Sequence, residues 1–162
     1  MAVEMKSVTL ETPDDVNVIV GQSHFIKTLV NLYEACMNSS PQIEFGVAFA
    51  EASGDCLIRA DGNQEKLKEM AVRNLQLIGA SHCFIIALKN AYPINILNAI
   101  KMIPEVCTVF GASANTMQVI IAETEQGRGV MGVVDGFPPQ GVEADSDAEA
   151  RNRYLRNLGY KR

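Results

Sequence analysis

Cys83-Phe84-Ile85-Ile86-Ala87-Leu88 is a run of six apolar residues without a polar break. A strand with one wet face alternates apolar and polar side chains, so an unbroken run belongs in the middle of a sheet covered on both faces. Just upstream, Leu67, Met70, Ala71, Asn74, Leu75 and Ile78 share one face at the helical period, and Gly79 stands where a C-terminal cap is expected. The polar Asp61-Gly62-Asn63-Gln64-Glu65 leads into that helix. A helix that delivers the chain directly into a doubly covered strand predicts an α/β domain.

Upstream, Phe45 to Ala52 and Cys56 to Ala60 read as a strand pair around Ser53-Gly54-Asp55. Val8 to Thr12 and Val16 to Val20 read as strands divided by the Pro13-Asp14-Asp15 turn. Gly21-Gln22-Ser23 then opens a predicted helix with Phe25, Leu29, Leu32, Tyr33 and Cys36 on one face, ending near Asn38 to Pro41.

Downstream, Pro93 to Met102 is a predicted short helix with proline at its start, stopped by Pro104. Strands are predicted at Val106 to Phe110, Met117 to Ala122 and Val130 to Val134. Phe137 to Asp145 reads as loop, and Ser146 to Leu158 as a charged amphipathic helix with Ser146 as its cap. Adjacent strand pairs at 45–60 and 117–134 require some antiparallel pairing, so the expectation is a mixed central sheet with helices on both faces, in one domain over residues 1–162.

A chain of 162 residues, nearly half of them apolar, can bury a core without disulfides or metal. Its net charge of -5 and the absence of a Lys/Arg run argue against a nucleic-acid or membrane binder. Cys36, Cys56, Cys83 and Cys107 are scattered with no C-x-x-C pair, and three lie in apolar runs, so buried reduced thiols are expected and no metal site. No basic-then-apolar leader and no run of membrane-spanning length are read, and a cytoplasmic location is expected.

The candidate chemistry begins at Glu123-Thr124-Glu125-Gln126-Gly127-Arg128-Gly129, followed by an apolar strand that ends at Asp135. Gly127 and Gly129 allow positive φ and close approach of a ligand, and Arg128 offers a planar fork of donors for phosphate or carboxylate. Glu123, Glu125 and Asp135 flank apolar strands, where they either sit at the rim or serve a site. Hairpin chemistry alone also explains the Gly-Arg-Gly turn.

His24 and His82 are the only histidines. Placed at a predicted helix start, His24 would be kept neutral and nucleophilic by the dipole that also attracts an anion, and could take up a phosphoryl group. A helix-start histidine bonded to the backbone is the alternative. His82 precedes the buried strand beside a tight loop, where ligand sites of α/β sheets gather; a satisfied core histidine is the alternative. Glu51, at a strand end, can accept two sugar hydroxyls. Asn95 and Asn98 share a face of the short helix, and an asparagine amide can pair with an adenine edge. No Walker loop, dinucleotide fingerprint or G-x-S-x-G elbow is present.

Four blocks, Gly21-Gln22-Ser23-His24-Phe25-Ile26-Lys27-Thr28, Phe49-Ala50-Glu51-Ala52-Ser53-Gly54, Pro93-Ile94-Asn95-Ile96-Leu97-Asn98-Ala99-Ile100 and Glu123 to Gly136, together resemble the adenosine-specific kinase family in order and over nearly the whole chain. The resemblance implies a three-layer α/β/α domain that forms a homo-oligomer, a trimer, binds adenosine and AMP, and carries phosphate on a histidine. It makes Gln22, Ser23, Glu51, Asn95, Asn98, Glu123, Glu125, Gly127 and Gly129 candidates for substrate binding. It sets ATP as donor with Mg²⁺, His24 or His82 as phosphoryl acceptor, Arg128 as the group neutralising phosphate, and Glu125 or Asp135 as a carboxylate for the metal. Two other readings stay open: a non-catalytic adenosine or AMP sensor, and a structural oligomer whose cleft only looks like a site.

Overall fold

Residues 83–88 do occupy the middle of a sheet. The computed structural model describes residues 2–162. In chain order its elements are β1 (Glu4–Thr9), β2 (Asn17–Ser23), α1 (Thr28–Ser39), β3 (Glu44–Ala50), β4 (Ile58–Gly62), α2 (Glu65–Ile78), β5 (Cys83–Lys89), α3 (Pro93–Lys101), β6 (Val106–Ser113), β7 (Met117–Glu123), β8 (Arg128–Asp135) and α4 (Asp145–Asn157). A five-stranded sheet has the order β4-β3-β5-β2-β6, and a three-stranded sheet the order β1-β7-β8.

The α/β class is as expected, but the pairing is not mixed. Every strand pair in both sheets is antiparallel. α1, α2 and α3 each join two strands of the same sense that are separated by one antiparallel strand, β2 and β3 by β5, β4 and β5 by β3, and β5 and β6 by β2, so none of them links adjacent parallel neighbours.

Both faces of β5 are buried, each against a different partner. Phe84, Ile86 and Leu88 join Phe45, Val47, Phe49 and Ile19 in a core closed by Leu32 and Cys36 of α1 and Ile96 and Ile100 of α3. Cys83, Ile85 and Ala87 join Val18, Val20 and Ala48 in a second core, closed by α2 and by Met117, Val119 and Ile121 of the three-stranded sheet. Helices therefore cover both faces, with the smaller sheet sharing one face with α2.

The helix expected after residues 61–65 and capped by Gly79 is α2, with Leu67, Met70, Ala71, Asn74, Leu75 and Ile78 as its buried residues and Gly79 closing it in the left-handed conformation at φ 63°. Gln64 caps its start by accepting the Leu67 amide. Buried Asn74 accepts the Glu11 amide at 2.7 Å and donates to the Glu11 carbonyl at 3.0 Å, tying the β1–β2 connection to α2. Gly46 of β3 lets the first turn of α2 lie against the sheet, since a Cβ there would overlap the backbone of Leu67 and Lys68.

Four local expectations are corrected. Gly21-Gln22-Ser23 ends β2 instead of opening α1, because Gly21 is packed against Phe84 and paired in the sheet; Phe25 is left exposed outside the helix. The first strand lies at Glu4–Thr9, in register with β7, so it extends further upstream than hydrophobicity suggested. Ser146 lies inside α4; the Asp147 carboxylate accepts the Ala144 amide at 2.9 Å and does the capping. Two of the cysteines, Cys36 and Cys83, are buried rather than three, and burial pushes both thiols up to about 12, leaving them protonated at neutral pH. Cys56 and Cys107 are exposed.

Candidate functional site

One end of the five-stranded sheet gathers most of the polar residues singled out by sequence. There β2 ends in Gln22 and Ser23, β3 runs out toward Glu51, and β5 begins after Ser81 and His82. The backbone knits them together: Ser23 donates its amide to the His82 carbonyl at 2.9 Å, and His82 donates its own to the Ala50 carbonyl at 2.8 Å. These bonds hold His82 at φ 57°, a left-handed conformation uncommon for a side chain with a Cβ.

Side chains alternate across a strand, so this end has two flanks. On the flank of α1 and α3, the half-buried His82 ring stacks on Phe49, centroids 5.8 Å apart and planes within 9° of parallel. Phe49 pairs across the hairpin with Arg59. Arg59 donates through Nε to Oε1 of Glu51 at 2.9 Å, and Glu51 is only 8% exposed. Ser23 is buried, its hydroxyl bonded to Thr28 and to the Glu105 carbonyl. His24 leaves the strand exposed, its amide donated to the Glu105 carbonyl at 3.1 Å. It precedes the first residue of α1 by four positions, so neither a free helix amide nor the dipole acts on it as the sequence suggested.

On the other flank lies Arg128. Its Nε donates to Oε2 of Glu123 at 2.6 Å, and Nη1 reaches the carbonyls of Leu77 and Ile78 at 3.3 and 3.4 Å. The guanidinium therefore meets the negative end of α2. Nη2 has no protein partner among the described residues. Lys6 Nζ lies 3.1 Å from Oε1 of Glu123. Between two cations, the Glu123 carboxyl is held below its ordinary value, first by the hydrogen bond from Lys6 and then by that from Arg128. Both of its oxygens are engaged.

Two clefts open beside Arg128. One of about 120 Å³ is lined by Gln22, Ser81 and Phe110, and one of about 360 Å³ by Thr124, Gln126 and Gly127; Arg128, Gly129 and Ser81 wall both. Gly127 has φ 157° in the hairpin turn, where Thr124 donates its amide to the Gly127 carbonyl at 2.8 Å. Gly129 does not use positive φ; it lies in β8 with open space where a Cβ would stand, and so keeps the clefts wide. Glu125 is exposed at the tip of the hairpin.

Three predicted residues lie elsewhere. Asp135 closes the opposite end of β8, about 23 Å from Arg128 along an extended strand; Asn115 donates to its carboxylate at 3.4 Å. Asn95 and Asn98 belong to α3, which follows the far end of β5, about 20 Å from His82. Asn95 accepts the Tyr92 amide at 2.8 Å and so caps its own helix. It borders a cleft of about 540 Å³ with Asn17, Tyr92 and Tyr160.

Sequence reasoning missed Arg59 and Glu105. Arg59 was legible: it is a lone cation in a strand already read as pairing with Phe45 to Ala52, which sets it opposite Phe49 and next to Glu51. Glu105, 6% exposed, accepts from the Asn31 amide and anchors His24 and Ser23 through its carbonyl. An acid between Pro104 and Val106 carries no signal for that role.

Among the described residues no group of three or more His, Cys, Asp or Glu converges as a metal site. Glu51 and Glu123 are already paired with cations, and Asp135 is remote from both. This donor set does not fit a protein-held Mg²⁺.

In this antiparallel α/β protein, the half-buried His82 and the buried Glu51 with its partner Arg59 share one flank of the sheet end, and Arg128 stands on the other. Residues 8–161 match the profile of the family described as "Adenosine specific kinase", and the chain belongs to that family. It is similar to the PH1918 protein from Pyrococcus horikoshii OT3, whose crystal structure matches with a TM-score of 0.94 at 44% identity over 99% of each chain. No curated protein matches the chain. Among the described residues, no helix is long and apolar enough to cross a membrane.

Proposed function

We propose that the protein is a cytoplasmic adenosine- and AMP-binding phosphotransferase that draws phosphate from ATP through a phosphohistidine and works as a homotrimer. The observation that carries this reading is the backbone link Ser23–His82–Ala50, which brings both histidines, Glu51 and Arg59 to one strand end within a family described as adenosine-specific kinase.

In the first step the lone pair of an imidazole nitrogen, of His24 or His82, attacks the γ-phosphorus; the bond to the bridging oxygen breaks and ADP leaves. In the second, the 5′ hydroxyl oxygen of adenosine attacks that phosphorus, the P–N bond breaks and its electron pair returns to the ring. The hydroxyl proton passes to Glu51, and AMP forms. Gln22 and Ser23 shape the strand end on which the nucleotide lies. Arg128, with Nη2 free, and Arg59 neutralise phosphate charge. Gly127 and Gly129 keep the backbone open to the ligand, and Glu125 at the hairpin tip contacts its rim. Mg²⁺ would enter on the phosphates of ATP.

A second reading, an adenosine or AMP sensor without turnover, is favoured by the pairing of Glu51 with Arg59, which already engages the carboxylate that would take the hydroxyl proton. One experiment separates them. The protein is incubated with γ-labelled ATP and Mg²⁺, with and without adenosine, alongside His24→Asn and His82→Asn. Label in AMP over many turnovers supports the kinase, and the substitution that abolishes it names the acceptor. AMP binding with no labelled AMP and no ADP release supports the sensor.

A further inference from the structure

The three asparagines that border the cleft of about 540 Å³ all turn their amide nitrogens to the protein. Asn17 donates to the Ala91 carbonyl at 3.2 Å, Asn90 to Oε1 of Glu44 at 3.3 Å, and Asn95 to the Tyr160 hydroxyl at 3.5 Å. A carbonyl and a carboxylate only accept, so the first two amides cannot be turned the other way round. Oδ1 of Asn17 and of Asn90 is left with no donor among the described residues. Asn17 is only 8% exposed, and no buried side-chain polar atom among the described residues lacks a partner, so its Oδ1 opens into the cleft it lines.

Asp14 adds a carboxylate with no partner among the described residues, and Tyr92 and Tyr160 add exposed rings. The wholly unpartnered atoms of the wall are thus acceptors, apart from the Tyr92 hydroxyl, which can act either way. A phosphate or carboxylate ligand needs donors and finds no Lys or Arg in the lining. An adenine edge needs a donor beside an acceptor, and Asn95 cannot offer both, because its Oδ1 already accepts the Tyr92 amide at 2.8 Å. Acceptors set among aromatic faces suit a cation that carries N–H groups. We infer that this cleft binds an alkylammonium ion, which donates to Asp14 and to Oδ1 of Asn17 and rests its charge against Tyr92 and Tyr160.

The surrounding charges agree with this. Asp15 is paired with Lys89, Glu44 faces Asn90, and Asp135, at the same end of the molecule, is met by the Asn115 amide. Lys161 follows Tyr160, but its ammonium is turned to Asn152 of α4 at 2.8 Å, and Arg162 lies outside the lining. Even with Lys89, Lys161 and Arg162 all set against Asp14, Asp15, Glu44 and Asp135, negative charge remains. Arg153 and Arg156 of α4 line a different cleft with Glu149. The positive end of α3 opposes a cation, but that helix has only nine residues and the Asn95 oxygen caps its start. Asn17 pairs with Leu88, at the end of β5 remote from His82, so the cleft is separate from the phosphotransfer site.

The test is a titration of the isotope-labelled full chain with diaminobutane at fixed ionic strength, followed by NMR, in the parent, Asp14→Asn and Tyr160→Ala. Asp14 is exposed on a turn and Tyr160 lies outside both cores, so unchanged signals away from the cleft serve as the folding control. The expected result is saturable shifts at the Asn17 side-chain amide and the Tyr92 and Tyr160 backbone amides. Affinity should fall about ten-fold in each variant, as loss of one charged contact does. Butanediol, of the same length without the charge, should not saturate. A parent without saturable shifts would overturn the inference, and so would an affinity that survives Asp14→Asn or is matched by butanediol. Adenosine shifting these signals where the diamine does not would overturn it too, and would make the cleft a nucleoside site. Absence of label transfer from ATP would leave each of these outcomes unchanged.

Discussion

The imidazole of His82 lies flat on the ring of Phe49, 5.8 Å between centroids, at the start of the most deeply buried strand of the molecule. Phe49 belongs to the core, so the core itself orients a candidate catalytic ring. Phe49→Leu keeps an apolar side chain but removes the stacking, which contributes about 0.5–1.5 kcal/mol beyond burial in aromatic pairs. The expected outcome is a folded protein with a lower urea midpoint and faster modification of His82 by diethyl pyrocarbonate. An unaltered modification rate would mean that Phe49 does not hold the ring.

Glu123 gives the stability an acid limb. Its folded carboxyl sits below the unfolded value of about 4.5, so its contribution is present above that value and is lost as pH falls through the folded one. Melting temperature in the parent should drop more steeply below pH 4.5 than in Glu123→Gln, and added salt should partly narrow the gap because the network is half-exposed to solvent. Parallel pH profiles would remove the Lys6–Glu123–Arg128 network as a source of stability.

Gly79→Ala puts a Cβ into a left-handed residue, 3.1 Å from Nη1 of Arg128. The conformation alone should cost about 1–2 kcal/mol, read as a lower urea midpoint at unchanged m. The displaced guanidinium should also loosen the hairpin, seen as faster exchange of the Thr124 amide.

Gly46→Ala acts on packing instead. The added methyl meets the backbone of α2, which cannot rotate away, and a loss of about 2–3 kcal/mol is expected from the overpacking. Full retention of the urea midpoint would show that α2 can lift from β3 at no cost.

Arg128→Ala should weaken AMP binding about ten-fold, as loss of one charged hydrogen bond does, while adenosine binding changes little. Calorimetry with both ligands decides it. Equal losses for the two would place Arg128 away from the phosphate.

Much of this fold could be read from residue pattern. The α2 face, the Gly79 cap, the β3–β4 and β7–β8 hairpins and the central place of β5 rest on periodicity and turn chemistry, which act locally. The start of α1 did not, because Gly21 is held by Phe84 from a strand 63 residues later, and this long-range pairing overrides the local helix signal. The same cause removed His24 from a helix terminus. For the site, the sequence supplied residue types without distance: it named Glu51, His82 and Gln22, which topology brings to one end, together with Asp135 and Asn95, which topology carries to the other. Arg59 was within reach through cross-strand pairing, and Glu105 was not.

The strand order also governs when the domain can exist. β2, made near the start of the chain, lies between β5 and β6, and β1 pairs only with β7. During synthesis both early strands emerge without neighbours and stay so until residues beyond 83 and 117 have followed them. Closing such long loops is slow compared with forming α1 or α2. The apolar Val18-Ile19-Val20 segment is therefore unsheltered on the nascent chain for longer than any other core strand, and it is there that premature association between chains would begin.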